Sequence, residues 1–182
     1  FKKFANINAF DIEVDEKDPE KFIETVARLE PTFGAINLED IKAPDCFRIE
    51  QALSERLNIP VFHDDQHGTV IVVAAAISNA LTLVDKSISE VKVVSTGGGA
   101  AGLSCLQTLV DMGLEKDNIV LIDAHGVVYE GRKEDMNDFK ARFATRSKVR
   151  SLADAMAGAD IFLGLSAPDI VTPEMVSKMA EA

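Results

Sequence analysis

Apolar positions along the chain fall into short blocks whose spacing switches between two periods. Asn8–Val14, Phe33–Leu38, Ile59–Phe62, Val91–Ser95, Ile119–Ile122 and Ile161–Leu165 are short runs rich in Val, Ile, Leu and Phe, and they read as strands. Helical spacing fills the intervals. Asp18-Pro19-Glu20 is a helix start, with Asp at the cap, Pro in the first turn and an acid against the positive dipole end. Phe22, Ile23, Val26 and Leu29 follow at helical spacing. Further helices are expected over Pro44–Leu57, from Thr69 to about Val84, over Leu103–Met112 with closure at Gly113, over Asp135–Phe143 and Leu152–Met156, and from Pro173 onward. Gly126–Lys133 is the least regular segment, and Val127–Tyr129 either extends a strand or forms a turn. Alternating strands and helices predict an α/β fold, a parallel sheet with helices on both faces.

Composition narrows the function classes. The chain has 182 residues, enough for one domain or one domain and part of another, and 47% of them are hydrophobic. Its net charge of −11 argues against nucleic acid or an anionic membrane as partner. The longest unbroken apolar run, Val70–Ile77, is far shorter than the ~20 residues that span a bilayer. Cys46 and Cys105 lie in apolar helical surroundings without metal-ligand spacing and read as reduced core thiols, which fits a cytoplasmic protein.

The clearest chemistry lies after the fourth strand. Val91 to Thr96 leads into Gly97-Gly98-Gly99-Ala100-Ala101-Gly102 and then a helix, which is a G-x-G-x-x-G run between a strand and a helix. Gly97 permits the tight turn, Gly99 lets the backbone approach a pyrophosphate, and Gly102 lets the helix pack close to the strand. Ala100 and Ala101 open the helix whose free N–H groups face the phosphates. Asp123 ends the next strand about 20 residues past Gly102, where a ribose-binding acid belongs. An acid there favours NAD. His125, Arg132 and Lys133 just beyond it keep NADP open, because a basic group can receive a 2′-phosphate.

Two acidic pairs come earlier. Glu39-Asp40 follows the strand Ala35–Leu38, and Asp64-Asp65 follows the short strand ending at Phe62. If those strands are parallel neighbours, all four carboxylates emerge at one carboxyl edge and repel unless a cation joins them. Oxygen donors without thiolate suit Mg²⁺ or Mn²⁺. His63 and His67 are better suited to hydrogen bonding than to ligating a hard cation.

Taken together, "INLEDI", "IPVFHDDQHGT" and "GGGAAG" resemble the bacterial branch of the malic enzymes, and the similarity extends from "FKKF" to "FLGLSAPDIVTPEMV". The resemblance implies oxidative decarboxylation of malate to pyruvate and CO₂ with NAD or NADP. It implies a divalent metal held by Glu39, Asp40 and Asp65, with Asp64 as a catalytic, proton-handling residue beside it. The nucleotide loop maps to Gly97, Gly99 and Gly102, and Asp123 matches the family's acid at the end of the next strand. Animal members have Asn in place of His63. By the same resemblance, residues 1–66 are the last part of the malate and metal domain, and 67–182 are a Rossmann-like NAD(P)-binding domain incomplete at its C-terminus. The family's catalytic Tyr and Lys lie before Phe1 and its Asn-Pro-Thr substrate loop follows Ala182. The chain therefore reads as an internal fragment, inactive by itself, of an enzyme that is a homo-oligomer. Two alternatives stay open: the nucleotide domain of another dehydrogenase, which needs no divalent metal, and a non-catalytic nucleotide-binding module.

Overall fold

The computed structural model describes residues 1–181. Element order is α1 (Lys2–Ala5), α2 (Pro19–Ala27), β1 (Ile36–Leu38), α3 (Asp45–Arg56), β2 (Val61–His63), a π-helical turn (Asp64–Gly68), α4 (Thr69–Leu83), β3 (Val93–Thr96), α5 (Ala100–Asp111), β4 (Ile119–Asp123), β5 (Gly126–Val127), α6 (Asp138–Ala141), α7 (Leu152–Met156), β6 (Ile161–Gly164) and α8 (Pro173–Val176). The strands form two sheets. β1 and β2 pair in parallel, and the second sheet has the order β5-β4-β3-β6. Within it β3 pairs in parallel with both β4 and β6, and β5 folds back antiparallel on β4. The α/β architecture with parallel pairing is the one the alternating pattern predicts.

Strand alternation divides the second sheet between two cores. Val93, Ile119 and Leu121 face Ile77 and Leu81 of α4 and Leu103, Leu106 and Leu109 of α5. Val94, Val120 and Ile122 face Ala155 and Met156 of α7, with Met175 of α8 packed at the margin. A third cluster joins α2 and α3 to the first sheet through Ile23, Val26, Leu38, Ile49 and Leu53. Phe47 of α3 stacks on Phe139 of α6 with centroids 4.3 Å apart, which ties the first sheet's helices to the second sheet's.

Several local expectations are met by the chemistry anticipated for them. Asp18 caps α2 by accepting from the Glu20 and Lys21 amides, with Pro19 in the first turn. Thr172 caps α8 just before Pro173. Both cysteines are free and buried, and burial pushes each thiol up to about 11.

Others differ. Asn8–Val14 forms no regular element and pairs with no strand among the described residues, and most of it is exposed. Its alternation of apolar and polar residues has no neighbouring edge to bond. The helix expected over Asp135–Phe143 shrinks to α6, because Asp135 takes positive φ and Asn137 caps the chain at Asp138. The π-helical turn continues directly into α4, so the helical run Asp64–Leu83 reaches 20 residues, and by length and apolar content alone it could cross a membrane. In the fold its Ile77 and Leu81 enter the core against α5.

Leu106 is fully buried between α5 and the sheet. Replacing it with Ala is expected to cost about 2–5 kcal/mol, read as a lower urea midpoint with an unchanged slope.

Candidate active site

Parallel register brings the acidic pairs together. Ile36 lies opposite Val61, Asn37 opposite Phe62 and Leu38 opposite His63. Glu39-Asp40 and Asp64-Asp65 therefore leave adjacent strands at the same carboxyl edge. All four residues are exposed. Asp40 adopts left-handed backbone at φ 55, which turns the chain sharply after β1 and which Asp tolerates better than most residues. Glu39 Oε1 accepts a 2.7 Å hydrogen bond from the side-chain Nδ2 of Asn37. Asp64 folds back along its own turn, and a Cβ on Gly68 would fall 2.4 Å from Asp64 Oδ1. Asp40 and Asp65 accept no side-chain hydrogen bond among the described residues. The donors are of the kind a hard cation takes. They are not drawn together, since no three His, Cys, Asp or Glu side chains among the described residues converge on one point.

The turn after β2 also packs against the nucleotide half. Gln66, His67 and Val70 line a groove of about 230 Å³ with Phe47, with Leu103, Ser104, Gln107 and Thr108 of α5, and with Phe139 and Phe143. His67 Nε2 and Glu50 Oε1 are 2.5 Å apart, fastening the turn to α3. Acidic edge and glycine loop thus share one supporting helix, α5.

That loop is built as its sequence requires. Gly97 stands at φ 113, and a Cβ there would lie 2.5 Å from the Leu165 carbonyl oxygen. A Cβ at Gly102 would lie 1.9 Å from the Gly97 oxygen, so only glycine lets the helix close on the turn. Around Gly99 there is nothing within 4 Å of the same point. Space is thus open where a pyrophosphate would approach. α5 begins at Ala100 with no side-chain cap and no acid in its first turn, leaving its leading N–H groups and positive dipole end for an anion. The residues fit a dinucleotide.

Asp123 ends β4 under this loop, and its carboxylate is heavily engaged. Oδ2 accepts from Arg132 Nη2 at 2.5 Å and from Lys140 Nζ at 2.9 Å, and Oδ1 accepts from the His125 amide at 2.9 Å. Its side chain is 6% exposed. Lys140 also reaches Asp135 Oδ2 at 2.5 Å, and the Asp135 carboxylate is largely exposed. Arg132 further donates to the carbonyls of Gly126, Val127 and Glu134. Burial alone would raise the Asp123 pKa, but the hydrogen bonds from Arg132 and Lys140 outweigh it and hold the group down at about 2, against an ordinary 3.8.

Of the basic groups expected near Asp123, Arg132 joins it, His125 pairs with Glu134 instead, and Lys133 is exposed. Lys140 was not among the expected residues. It lies 2.9 Å (Cε) from where a Gly98 Cβ would be, directly beneath the loop. No spacing rule points to it. It arrives there because Asn137 starts a short helix that turns Lys140 toward the sheet.

Comparison with known proteins agrees with the architecture. Residues 66–182 match the family model "Malic enzyme, NAD binding domain", and residues 8–54 match "Malic enzyme, N-terminal domain". The NADP-dependent malic enzyme of Escherichia coli (strain K12) is 61% identical over 183 residues, covering 100% of this chain and 24% of that protein. The NAD-dependent malic enzyme of Rhizobium meliloti is 53% identical, with the same two shares. The crystal structure of NAD-dependent malic enzyme from Thermotoga maritima superposes with a TM-score of 0.92 at 48% identity, over 99% of this chain and 48% of that one. The chain thus spans about a quarter of these two curated relatives.

Two outcomes follow from the geometry. Gly99→Val is expected to fold normally yet lose dinucleotide affinity by calorimetry, whereas Gly102→Ala is expected to lower the melting temperature, because its Cβ meets backbone. Asp123 has a folded pKa below its unfolded value, so its contribution to stability is full above about pH 4 and disappears as pH falls toward about 2. After solvent screening that contribution is about 1–2 kcal/mol, and Asp123→Asn is expected to flatten this part of the pH–stability profile measured by urea unfolding. Sequence, fold and loop geometry agree, and the chain belongs to the malic enzyme family.

Proposed function

We propose that this chain carries the metal carboxylates and most of the nucleotide fold of an enzyme that oxidatively decarboxylates malate to pyruvate and CO₂ while reducing NADP. The observation that carries the reading is the Leu38–His63 register, which delivers two acidic pairs to one edge beside the helix that opens at the glycine loop. Neither a metal-free dehydrogenase nor a passive nucleotide module calls for that arrangement.

In this reading Glu39, Asp40 and Asp65 hold a divalent cation, Mg²⁺ or Mn²⁺, by rotation of exposed side chains. When bound, the cation would supply Lewis-acid stabilisation of negative charge on the substrate oxygens. Asp64, tucked against Gly68, stays beside the ligands and is the residue here best placed to hold or pass a proton. Gly97, Gly99 and Gly102 with Ala100 and Ala101 seat the dinucleotide phosphates on the α5 N-terminus. Remaining proton transfer is assigned to groups outside these residues, in keeping with the Lys and Tyr that the family resemblance puts before Phe1.

The preference for NADP follows from the Asp123 network. A carboxylate already accepting three hydrogen bonds cannot take both ribose hydroxyls. Its charge is balanced by two cations, which removes the repulsion that a free acid sets against a 2′-phosphate. Asp135, largely exposed, is the Lys140 partner that a phosphate can most easily replace. Curated relatives named for NADP and for NAD both occur at more than 50% identity, so likeness does not choose the cofactor, and the Asp123 network is what supports NADP.

In the intact enzyme, Asp65→Ala is expected to lower metal-supported malate turnover by about a thousandfold, the worth of several kcal/mol of charge stabilisation, with dinucleotide affinity nearly unchanged. Equal loss of both would make Asp65 a structural residue. Lys140→Gln is expected to raise KM for NADP about tenfold and leave that for NAD nearly unaltered. A parallel rise for both would remove the 2′-phosphate from the account.

A further inference from the structure

The turn that bears Asp64 and Asp65 is held by the residue just before it. His63 ends β2, is 0% exposed, and takes the cap position of the π-helical turn in extended backbone. Its Nδ1 accepts the Gln66 backbone N–H at 3.3 Å. An acceptor at Nδ1 puts the ring proton on Nε2. That second nitrogen is buried and has no hydrogen-bond partner among the described residues. Leaving a buried donor unpaired is unfavourable, and an aliphatic side chain would fill the same space without the penalty. What histidine offers there is the acceptor.

The cap has a consequence for the acids. Asp64 and Asp65 are the first two residues of the turn, and Gln66 is the third. With the Gln66 amide fixed, the first turn is wound, Asp64 lies against Gly68, and Asp65 is left exposed at the sheet edge. Uncapped, the Gln66 N–H would lose its acceptor, the first turn would fray, and the direction of Asp65 would be lost. We infer that His63 is a positioning residue that aims Asp65 through its Nδ1 cap and takes no part in proton transfer. The inference rests on the metal role proposed above and deepens it.

Asparagine separates the cap from the ring. Its Oδ1 stands two bonds from Cβ, as the histidine Nδ1 does, and Asn is a favoured cap residue. Leucine keeps the bulk and removes the acceptor. The test is a Mn²⁺ titration of the full chain, with the free ion read by electron paramagnetic resonance, for the wild type, His63→Asn, His63→Leu and Asp65→Ala. NADP affinity is measured by calorimetry in parallel. His63→Leu is expected to bind Mn²⁺ at least about tenfold more weakly while His63→Asn stays close to wild type, and NADP affinity is expected to hold in both. Undiminished Mn²⁺ binding in His63→Leu, or equal loss in both variants, overturns the inference and leaves the metal site standing. If the wild type takes up no Mn²⁺ that Asp65→Ala loses, the metal reading fails and the inference with it. A second readout needs no metal: two-bond nitrogen–proton couplings in ¹⁵N-labelled protein should show His63 protonated at Nε2. Protonation at Nδ1 overturns the cap whatever the variants do.

Discussion

Parallel pairing of two very short strands is the constraint on which the site depends. β1 and β2 each contribute three residues, so their register rests on few backbone hydrogen bonds. It is fixed instead by what packs against them. Leu38 is buried in the cluster of α2 and α3, and His63 is buried opposite it while capping the next turn. A slip of one residue would exchange the faces of the strand and bury a charge. Because the pairing is parallel, the two carboxylate pairs fall at the same end, where α/β sheets place their ligands.

A second tie joins this edge to the nucleotide fold. α6 is only four residues long, yet it faces both ways. Phe139 stacks on Phe47 of α3, and the next residue, Lys140, reaches Asp123 beneath the glycine loop. Arg142, following the helix, lies over the Phe139 ring at 5.2 Å. The buried ions around Asp123 are tolerable because they are matched: Arg132 and Lys140 against Asp123 and the exposed carboxylate of Asp135, with the remaining arginine donors spent on backbone carbonyls. Losing Asp123 would leave Arg132 buried without a carboxylate, whereas losing Lys140 leaves Asp123 paired with Arg132. The network is therefore a structural fastener for β5 and α6.

Much of this was legible in the chain. Strand and helix periods, the Asp18 cap and the glycine spacing are local signals, and they correspond to β3, α5, β4 and α2. The shared edge was legible only conditionally, since nothing local says that Leu38 and His63 will be neighbours. Lys140 was invisible because its position comes from Asp135 in left-handed backbone and Asn137 at a cap, neither of which alters the apolar pattern. His63 reads from the sequence as a hydrogen-bonding residue, and it is one, but its donor is an amide three residues on, which hydropathy does not record. Asn8–Val14 failed the other way, carrying a strand-like pattern with no edge among the described residues to complete it.

The central claim, that Glu39, Asp40 and Asp65 close on one divalent ion, is tested most directly by anomalous diffraction from crystals of the chain soaked in Mn²⁺. The account predicts a single strong peak about 2.0–2.4 Å from oxygens of all three residues. A crystal that binds Mn²⁺ elsewhere, or shows no peak while these side chains remain apart, contradicts it.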